Sequence, residues 1–386
     1  MLDYFLSEEQ TVMVETAREI AEKKILPVRA QYDEEEKFPH EVFKAIAEAD
    51  LTGVYIPEEF GGCAGGSPIM NMCLVTEELS KACGGISLSF ASTALGALPI
   101  LFAGDDDQKK RFLPRIAAGA LGAFAITEAG AGSDAVSMRA TAIKDGDGYV
   151  LNGSKMFITN GGEAELYSVI AMTDREKGAR GASCFVLEKG MPGFSFGKKE
   201  SKMGIRASAT RELIFQDCRV PTANRLGREG SGFMTAMRTF DSSRPGVGSQ
   251  ALGIAAGALA LAVDYARERK QFGKPVIANQ GLQWMLADMA TQVEAARALI
   301  YATARWIDAG AKRPTMASAM SKCFASDVAM KVTIDAIQIF GGVGYSKEYP
   351  IEKYARDAKI TQIYEGTNQI QRDEIALALI KEAARK

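Results

Sequence analysis

A single histidine, His40, occurs in the 386 residues. Histidine-based catalytic triads and multi-histidine metal sites are therefore excluded within one chain. His40 lies in Phe38-Pro39-His40-Glu41-Val42 and reads as a surface residue at a helix start, with nothing nearby in sequence to orient it. The six cysteines (Cys63, Cys73, Cys83, Cys184, Cys218, Cys323) are dispersed and form no C-x-x-C pair, so neither a zinc site nor a redox dithiol is expected, and reduced thiols fit best. A formal net charge of −2 leaves no positive field for a polyanion, so no nucleic-acid partner is expected. The opening residues carry Asp3, Glu8 and Glu9 rather than a basic segment before an apolar one, which argues against a signal peptide. The longest run without polar side chains, residues 251–263, falls short of the ~20 residues that a span requires. It reads as a buried core helix, and no membrane insertion is expected.

What is present is an ordinary globular balance, 47% apolar and 24% charged, in a chain long enough for two or three packed subdomains. Ser7 with Gln10 forms a capping box, and Val12, Ile20 and Leu26 then recur at helical spacing. Ser67-Pro68 opens another helix, and residues 105–119 read as an amphipathic one. From about Gly122 the texture changes to short apolar runs, 149–151, 156–158, 168–172, 184–187 and 212–215. They are separated by the turn signals Asp145-Gly146-Asp147-Gly148, Asn152-Gly153 and Asn160-Gly161-Gly162. After Gly232 long helical patterns return, with breaks at 273–275, 310–314 and 341–344. Runs of each type, rather than strict alternation, predict an α+β chain: an N-terminal α-helical domain over 1–121, an antiparallel β domain over 122–232 and a C-terminal α-helical domain over 233–386.

Gly130-Ala131-Gly132-Ser133-Asp134-Ala135 satisfies a loose G-x-G-x-x-A pattern. A dinucleotide-binding loop should open a helix inside a βαβ unit, whereas here the chain enters the turn-rich region, so that reading fails. The small residues still let backbone N–H groups approach an anion closely. Asp241 and Arg244, three apart in Phe240-Asp241-Ser242-Ser243-Arg244-Pro245, can share a helical face and form an ion pair.

Further motifs are Phe124-Ala125-Ile126-Thr127-Glu128 before that glycine segment, Lys155-Met156-Phe157-Ile158-Thr159-Asn160, and Met203-Gly204-Ile205-Arg206. Later come Arg269-Lys270-Gln271-Phe272-Gly273 with Gln280, Gln338-Ile339-Phe340-Gly341-Gly342, and Tyr364-Glu365-Gly366-Thr367-Asn368-Gln369. In this order the chain resembles the acyl-CoA dehydrogenase family, of the short- or medium-chain or butyryl-CoA dehydrogenase kind. The resemblance implies an FAD enzyme whose last domain is a four-helix bundle. Phe124, Ile126, Thr127, Gly132, Ser133, Phe157, Ile158 and Thr159 would contact the flavin and pyrophosphate, with Ser133 also touching substrate. A ring beside the flavin and a donor near N5 favour its reduced form. Arg269, Gln271, Phe272, Gln280, Gln338, Gly341 and Gly342 would contact FAD of a neighbouring subunit, so a homotetramer is implied. Thr367, Asn368 and Gln369 would return to the flavin, and Asp241, Arg244 and Gly366 would meet the acyl-CoA. The Met203 motif is expected to be structural.

The same resemblance makes Glu365 the base that removes the α proton while hydride passes from the β carbon to flavin N5. A carboxylate suffices because a thioester carbonyl receiving two hydrogen bonds in a dry pocket acidifies its α proton, and desolvation raises the base's pKa. In the family those donors are the base's own N–H and a ribityl hydroxyl. Some relatives carry the base one residue before the arginine of the Asp-x-x-Arg helix; here that position is Ser243, which leaves Glu365 without a rival.

The uncharged stretch 87–96 is the expected pocket floor, which disfavours a dicarboxylic substrate and favours a short, branched or cyclic monocarboxylic acyl group. An electron-transferring flavoprotein is the implied acceptor, and the place in fatty acid metabolism is cytoplasmic in a bacterium or the mitochondrial matrix in a eukaryote. The alternatives are an acyl-CoA oxidase and a non-redox helical protein that binds CoA esters. A cysteine-based thioester transferase or hydrolase would lack a histidine partner.

Overall fold

In the computed structural model, which describes residues 2–384, helices precede and follow a sheet. Helix α1 (Glu8–Ile20) starts at the capping box, with Ser7 Oγ accepting from Gln10 N and the Gln10 side chain accepting from Ser7 N. Its buried face holds Ala17 and Ile20, while Val12 and Leu26 are 61% and 41% exposed. The sequence pattern put all three apolar residues on one face. Val12 misses because eight residues turn about 80° past two full turns. Leu26 misses because six residues from Ile20 turn about 240° past one full turn, and a π-helical turn, Ala21–Ile25, intervenes as well.

Short helices α2 (Arg29–Glu34) and α3 (His40–Glu48) lead to α4 (Pro68–Ala82), α5 (Gly84–Ala103) and α6 (Asp106–Ala117). Pro68 stands in the first turn of α4, and Asp105 with Gln108 makes a second capping box for α6. His40 is oriented after all: its Nε2 lies 3.3 Å from Glu163 Oε2, a partner remote in sequence.

The strands are β1 (Gly122–Ala125), β2 (Thr141–Asp145), β3 (Gly148–Thr159), β4 (Leu166–Met172), β5 (Ala182–Glu188), β6 (Phe194–Lys199), β7 (Thr210–Pro221) and β8 (Arg225–Leu226). They form one sheet in the order β6-β7-β3-β2-β4-β5-β8, with β1 beside β4. Most pairs are antiparallel, as expected, but β1 and β2 both meet β4 in parallel. The runs 149–151 and 156–158 belong to one strand, because Asn152-Gly153 makes a bulge rather than a turn. Gly153 has φ +126°, and a Cβ there would stand 2.8 Å from Ala140 Cα. Asn152 is fixed across the bulge by Asp217, which receives its Nδ2 (3.1 Å) and donates its own N–H to Asn152 Oδ1 (2.9 Å).

The C-terminal part comprises α7 (Gly232–Glu268), a small hairpin of β9 (Lys270–Gln271) and β10 (Lys274–Pro275), then α8 (Gln280–Asp308), α9 (Thr315–Phe340), α10 (Ile351–Thr361) and α11 (Asn368–Ala383). Helix α7 packs on α8 and α9 and also on α4 and α5 of the first part. By length and composition α5 and α7 could cross a membrane, but 72% of each apolar window is buried inside the fold. They serve as core helices. The Met203 motif docks the sheet onto α10: Ile205 N donates to Asp357 Oδ1 (2.5 Å), and a Cβ on Gly204 would stand 2.2 Å from Arg356 O.

Helix α7 approaches α4 through glycines. Added Cβ atoms at Gly253 and Gly257 would lie 2.4 Å from Glu77 O and 2.2 Å from Lys81 O. Gly257→Val forces two backbones apart, and overpacking of this kind costs about 1–3 kcal/mol. The expected outcome is a lower thermal midpoint than that of an exposed control such as Gly281→Ala, whose added Cβ meets nothing within 4 Å.

Candidate active site

A cavity of about 380 Å³ lies between α4, α5, α7, the turn before α11 and the loops at one end of the sheet. Leu88, Ala91, Ser92 and Leu95 of α5 line it, which places the expected pocket floor on the cavity wall. Met72 and Thr76 of α4 and Val247 and Gln250 of α7 continue that wall. The Tyr364 hydroxyl donates to Gln250 Oε1, and Gln250 Nε2 donates to Gly84 O (2.8 Å), tying the wall together.

Glu365 faces this cavity from the turn between α10 and α11. Its φ is +51°, uncommon for a residue with a side chain, and Gly366 follows at φ +90°. The turn persists because its carbonyls are taken up: Gln371 Nε2 donates to Glu365 O (3.0 Å) and Gly366 O (2.9 Å), and Lys322 Nζ donates to Gly366 O (2.8 Å). Ser243 Oγ donates to Glu365 Oε2 at 2.5 Å. The residue at the alternative base position thus serves as a donor to Glu365. Burial pushes the Glu365 carboxyl above the ordinary value of 4.5, against the opposing pull of the Ser243 hydrogen bond and the charges of Arg244 and Lys322. The carboxylate keeps some accessible surface while being densely surrounded, as a base opening only into a cavity would.

Arg244 also lines the cavity, 4% exposed, and among the described residues its Nε has no hydrogen-bond partner. A buried guanidinium left short of acceptors is suited to an incoming oxygen. Asp241 lies 3.7 Å from Arg244 Nη1 but outside the cavity wall, where its carboxylate accepts from Thr315 Oγ1 (2.7 Å). Burial raises its pKa as well.

Across the cavity stand Phe124, Ile126, Thr127, Gly132, Ser133, Phe157, Ile158 and Thr159. Phe124 meets Phe240 of α7 edge to face, 5.6 Å between centroids. Phe157 is held at φ +58° with 61% of its surface exposed, a large aromatic presented to a cavity rather than to the core. The loop that carries Thr127 and Ser133 is closed by Glu128, whose Oε2 accepts from Arg139 N (2.6 Å) and whose Oε1 accepts from Ala140 N (3.0 Å). Lys155, wholly buried, donates to Glu128 Oε1 (2.7 Å) and Ile126 O (3.0 Å). Glu128 is held below the usual carboxylate range by Lys155 and the two backbone donors despite its burial. This loop opens no α-helix, only the single 3-10 turn Ala135–Ser137.

The remaining expected residues are not in the cavity. Arg269, Gln271, Phe272, Gln280, Gln338, Gly341 and Gly342 are exposed at another end of the helical part. Tyr265, one turn before Arg269, stacks on Phe340, one residue before Gly341, at 4.2 Å, which brings these segments to one place. Thr367 caps α11 through Ile370 N (3.3 Å), and Gln369 is exposed. The Asn368 side chain is taken up within the fold. Its amide receives Lys322 Nζ (2.9 Å) and donates to Ser326 Oγ (2.9 Å) and Asp327 Oδ1 (2.8 Å), so its side chain anchors the turn and has no free group for a cofactor. Lys322 was not anticipated, because a lysine within a helix carries no sign in sequence of being fully buried.

A buried carboxylate faces an exposed aromatic and small-residue loops across one cavity, and comparison with known proteins bears on that arrangement directly. The chain matches the acyl-CoA dehydrogenase N-terminal domain over residues 7–120, the middle domain over 123–218 and the C-terminal domain over 230–380. It is 49% identical over 383 residues to acryloyl-CoA reductase (NADH) of Anaerotignum propionicum, covering 98% of this chain and 96% of that one. It is 48% identical to the short-chain specific acyl-CoA dehydrogenase of Megasphaera elsdenii over 96% of this chain and 97% of that one. Butyryl-CoA dehydrogenase from Megasphaera elsdenii superposes with a TM-score of 0.95 at 46% identity, over 98% of this chain and 100% of that one. A chain from the structure described as the electron transferring flavoprotein of Acidaminococcus fermentans gives 0.95 at 50%, over 98% and 99%. The chain belongs to the acyl-CoA dehydrogenase family, which makes it an oxidoreductase of FAD-dependent kind.

Breaking the Lys155–Glu128 pair leaves a half-buried carboxylate with its two backbone donors but no counter-charge, at a cost below the ~3 kcal/mol typical of a fully buried pair. Lys155→Met is expected to lower the thermal midpoint and to speed amide hydrogen exchange over residues 129–138, with exchange in β4 and β5 unchanged. Equal exchange in the loop would show that the pair does not hold it.

Proposed function

We propose that this chain converts an acyl-CoA thioester to the 2-enoyl-CoA, with Glu365 as the base that takes the α proton. The reading rests most on one observation, the Glu365 carboxylate raised by burial and aimed into a cavity whose far wall presents Phe157 and Thr159. FAD suits that wall: an exposed aromatic asks for a flat partner, and at Gly130 and Gly132 a Cβ would meet nothing within 4 Å, so their backbone is open to a phosphate. Bound there, FAD supplies a two-electron acceptor for the hydride of the β carbon.

The chain's own groups do the rest. Phe124, Ile126, Thr127, Gly132, Ser133, Ile158 and Thr159 form the cofactor wall, and Arg244 and Gly366 border the thioester. The turn at Glu365 presents carboxylate and backbone N–H from one residue, so the group that removes the α proton and a donor to the thioester carbonyl are set at a fixed separation. Ser243 holds the carboxylate toward the cavity. The α5 wall excludes water and offers no cation to a distal carboxylate, which supports a short, branched or cyclic monocarboxylic acyl group. The relatives described as short-chain specific support the same class.

The exposed group from Arg269 to Gly342 would complete the cofactor site of a second protomer in a homotetramer, supported by Phe272 at 97% and Trp284 at 63% exposure on that surface. An electron-transferring flavoprotein is the proposed acceptor, supported by the Acidaminococcus neighbour.

Anaerobic titration of the oxidised protein with a panel of acyl-CoAs tests cofactor, reaction and substrate together through flavin bleaching. Glu365→Gln is expected to retain FAD and bind acyl-CoA while the bleaching rate drops by at least about 10³-fold; undiminished bleaching removes Glu365 from the role. Since the carboxylate is the working form and its pKa is raised, kcat/KM should fall on the acid side with a midpoint above 4.5.

A further inference from the structure

We propose that Lys322 is a positioning residue for the base: from behind the turn it holds the Glu365-Gly366 backbone in its left-handed conformation and sets the pH at which Glu365 becomes a carboxylate. The inference rests on the reading of Glu365 as base and extends it to a residue of α9 that touches neither cavity nor substrate.

Lys322 has no exposed surface. An ammonium is seldom buried without a carboxylate in contact, yet the hydrogen bonds of Lys322 go to Gly366 O (2.8 Å) and Asn368 Oδ1 (2.9 Å), both neutral. Both acceptors belong to the segment just after Glu365. Asn368 is itself fixed by Ser326 and Asp327 of the same helix, so one face of α9 fastens this segment at two points. Gln371 of α11 shares Gly366 O with Lys322 and also holds Glu365 O, as a neutral donor. Two residues therefore share the mechanical task, but only Lys322 adds charge.

The groups facing Glu365 are Ser243 and Arg244 from α7 and Lys322 from α9, with Tyr364 adjacent in the chain. Asp373 and Glu374 of α11 line the same cavity. Facing Lys322 are Glu365, Cys323, Arg244 and Asp327, and Arg372 pairs with Asp327 at 2.6 Å. Arg244 stands at the cavity with an open Nε, so substrate oxygens compete for its charge. Lys322 lies behind the turn, where substrate does not reach. It is the cation whose influence on Glu365 persists through the catalytic cycle. Burial lowers the Lys322 pKa to about 8, which Glu365 partly counters.

The Lys322 cation favours the carboxylate form of Glu365, so removing it raises the pKa of the base and moves the acid limb of the pH profile to higher pH. In Lys322→Met the limb of kcat/KM is expected to move to higher pH, with kcat at its plateau reduced on the order of 10-fold to 100-fold through the loosened turn. Lys322→Gln, which keeps a donor for Gly366 O without charge, should show the shift with less loss of kcat. Lys322→Arg should restore the limb, and Gln371→Leu should lower kcat without moving it. Flavin content and thermal midpoint of each variant establish that it is folded. An unmoved acid limb in folded Lys322→Met and Lys322→Gln overturns the proposal. So does failure of both neutral variants to fold while Lys322→Arg folds, since Lys322 would then be a structural cation only. If Glu365→Gln stays active, the base reading itself has failed. If it is inactive while the Lys322 variants leave the limb in place, only this inference is lost.

Discussion

Helix α7 must pass within backbone contact of helices on either side, and the site depends on that close passage. Gly253 and Gly257 admit the carbonyls of Glu77 and Lys81 from α4, and Gly248 brings Ser321 O of α9 to 3.3 Å from where a Cβ would stand. Small residues at such crossings let helices pack more closely than larger side chains would permit. Ser321 precedes Lys322, and Gly248 lies about one turn after Arg244. The same contact that closes the core thus sets Ser243 and Arg244 on one side of Glu365 and Lys322 on the other. Across the first crossing, Glu77 is bound by Arg297 Nε (3.0 Å) and the Tyr301 hydroxyl (2.7 Å) of α8, so α4 is fixed to the C-terminal helices by a buried polar network as well as by shape.

A carboxylate that serves as a base must be dry enough to hold a proton well and still partnered enough to be tolerated. In the role proposed for it, Glu365 reaches that balance through unequal partners. One oxygen has the Ser243 hydroxyl, while the nearby cations act by field, as neither makes a salt bridge with it. A direct ion pair would have pulled its pKa down and weakened it as a base. Glu128 has the opposite arrangement. With an ammonium and two backbone N–H groups on its oxygens it is held as a carboxylate, and its role is mechanical.

The sequence made much of this legible where the cause is local. The capping box of Ser7 with Gln10 begins α1 as expected, because its bonds close within four residues, and the helix read over 105–119 starts on a second box, Asp105 with Gln108, that the structure adds. Glu365 and the Phe157 segment could be found because they sit in contiguous motifs. Pairings across long separations were hidden. His40 finds Glu163, Asn152-Gly153 bulges because Asp217 and Ala140 lie against it, and β1 joins β4 in parallel only after an intervening loop and hairpin. The same limit hides the surroundings of Asn368. Its partners on α9 lie about forty residues earlier, and no local pattern announces them.

The two walls of the cavity share a device that neither motif displays by itself. On one wall the fully buried Lys155 holds the carbonyl of Ile126, and on the other the fully buried Lys322 holds the carbonyl of Gly366. Each lysine thereby satisfies a backbone acceptor in an irregular loop that has no strand or helix to bond it. A buried ammonium brings more donors to a small space than an amide or hydroxyl can, and its charge shortens and strengthens the bonds it makes. Such a residue costs desolvation, which an apolar one would not, but an apolar one would leave the carbonyls bare. Irregular backbone is what allows a cavity to present N–H groups and a base together. The buried lysines are the means by which this fold keeps that backbone in one conformation.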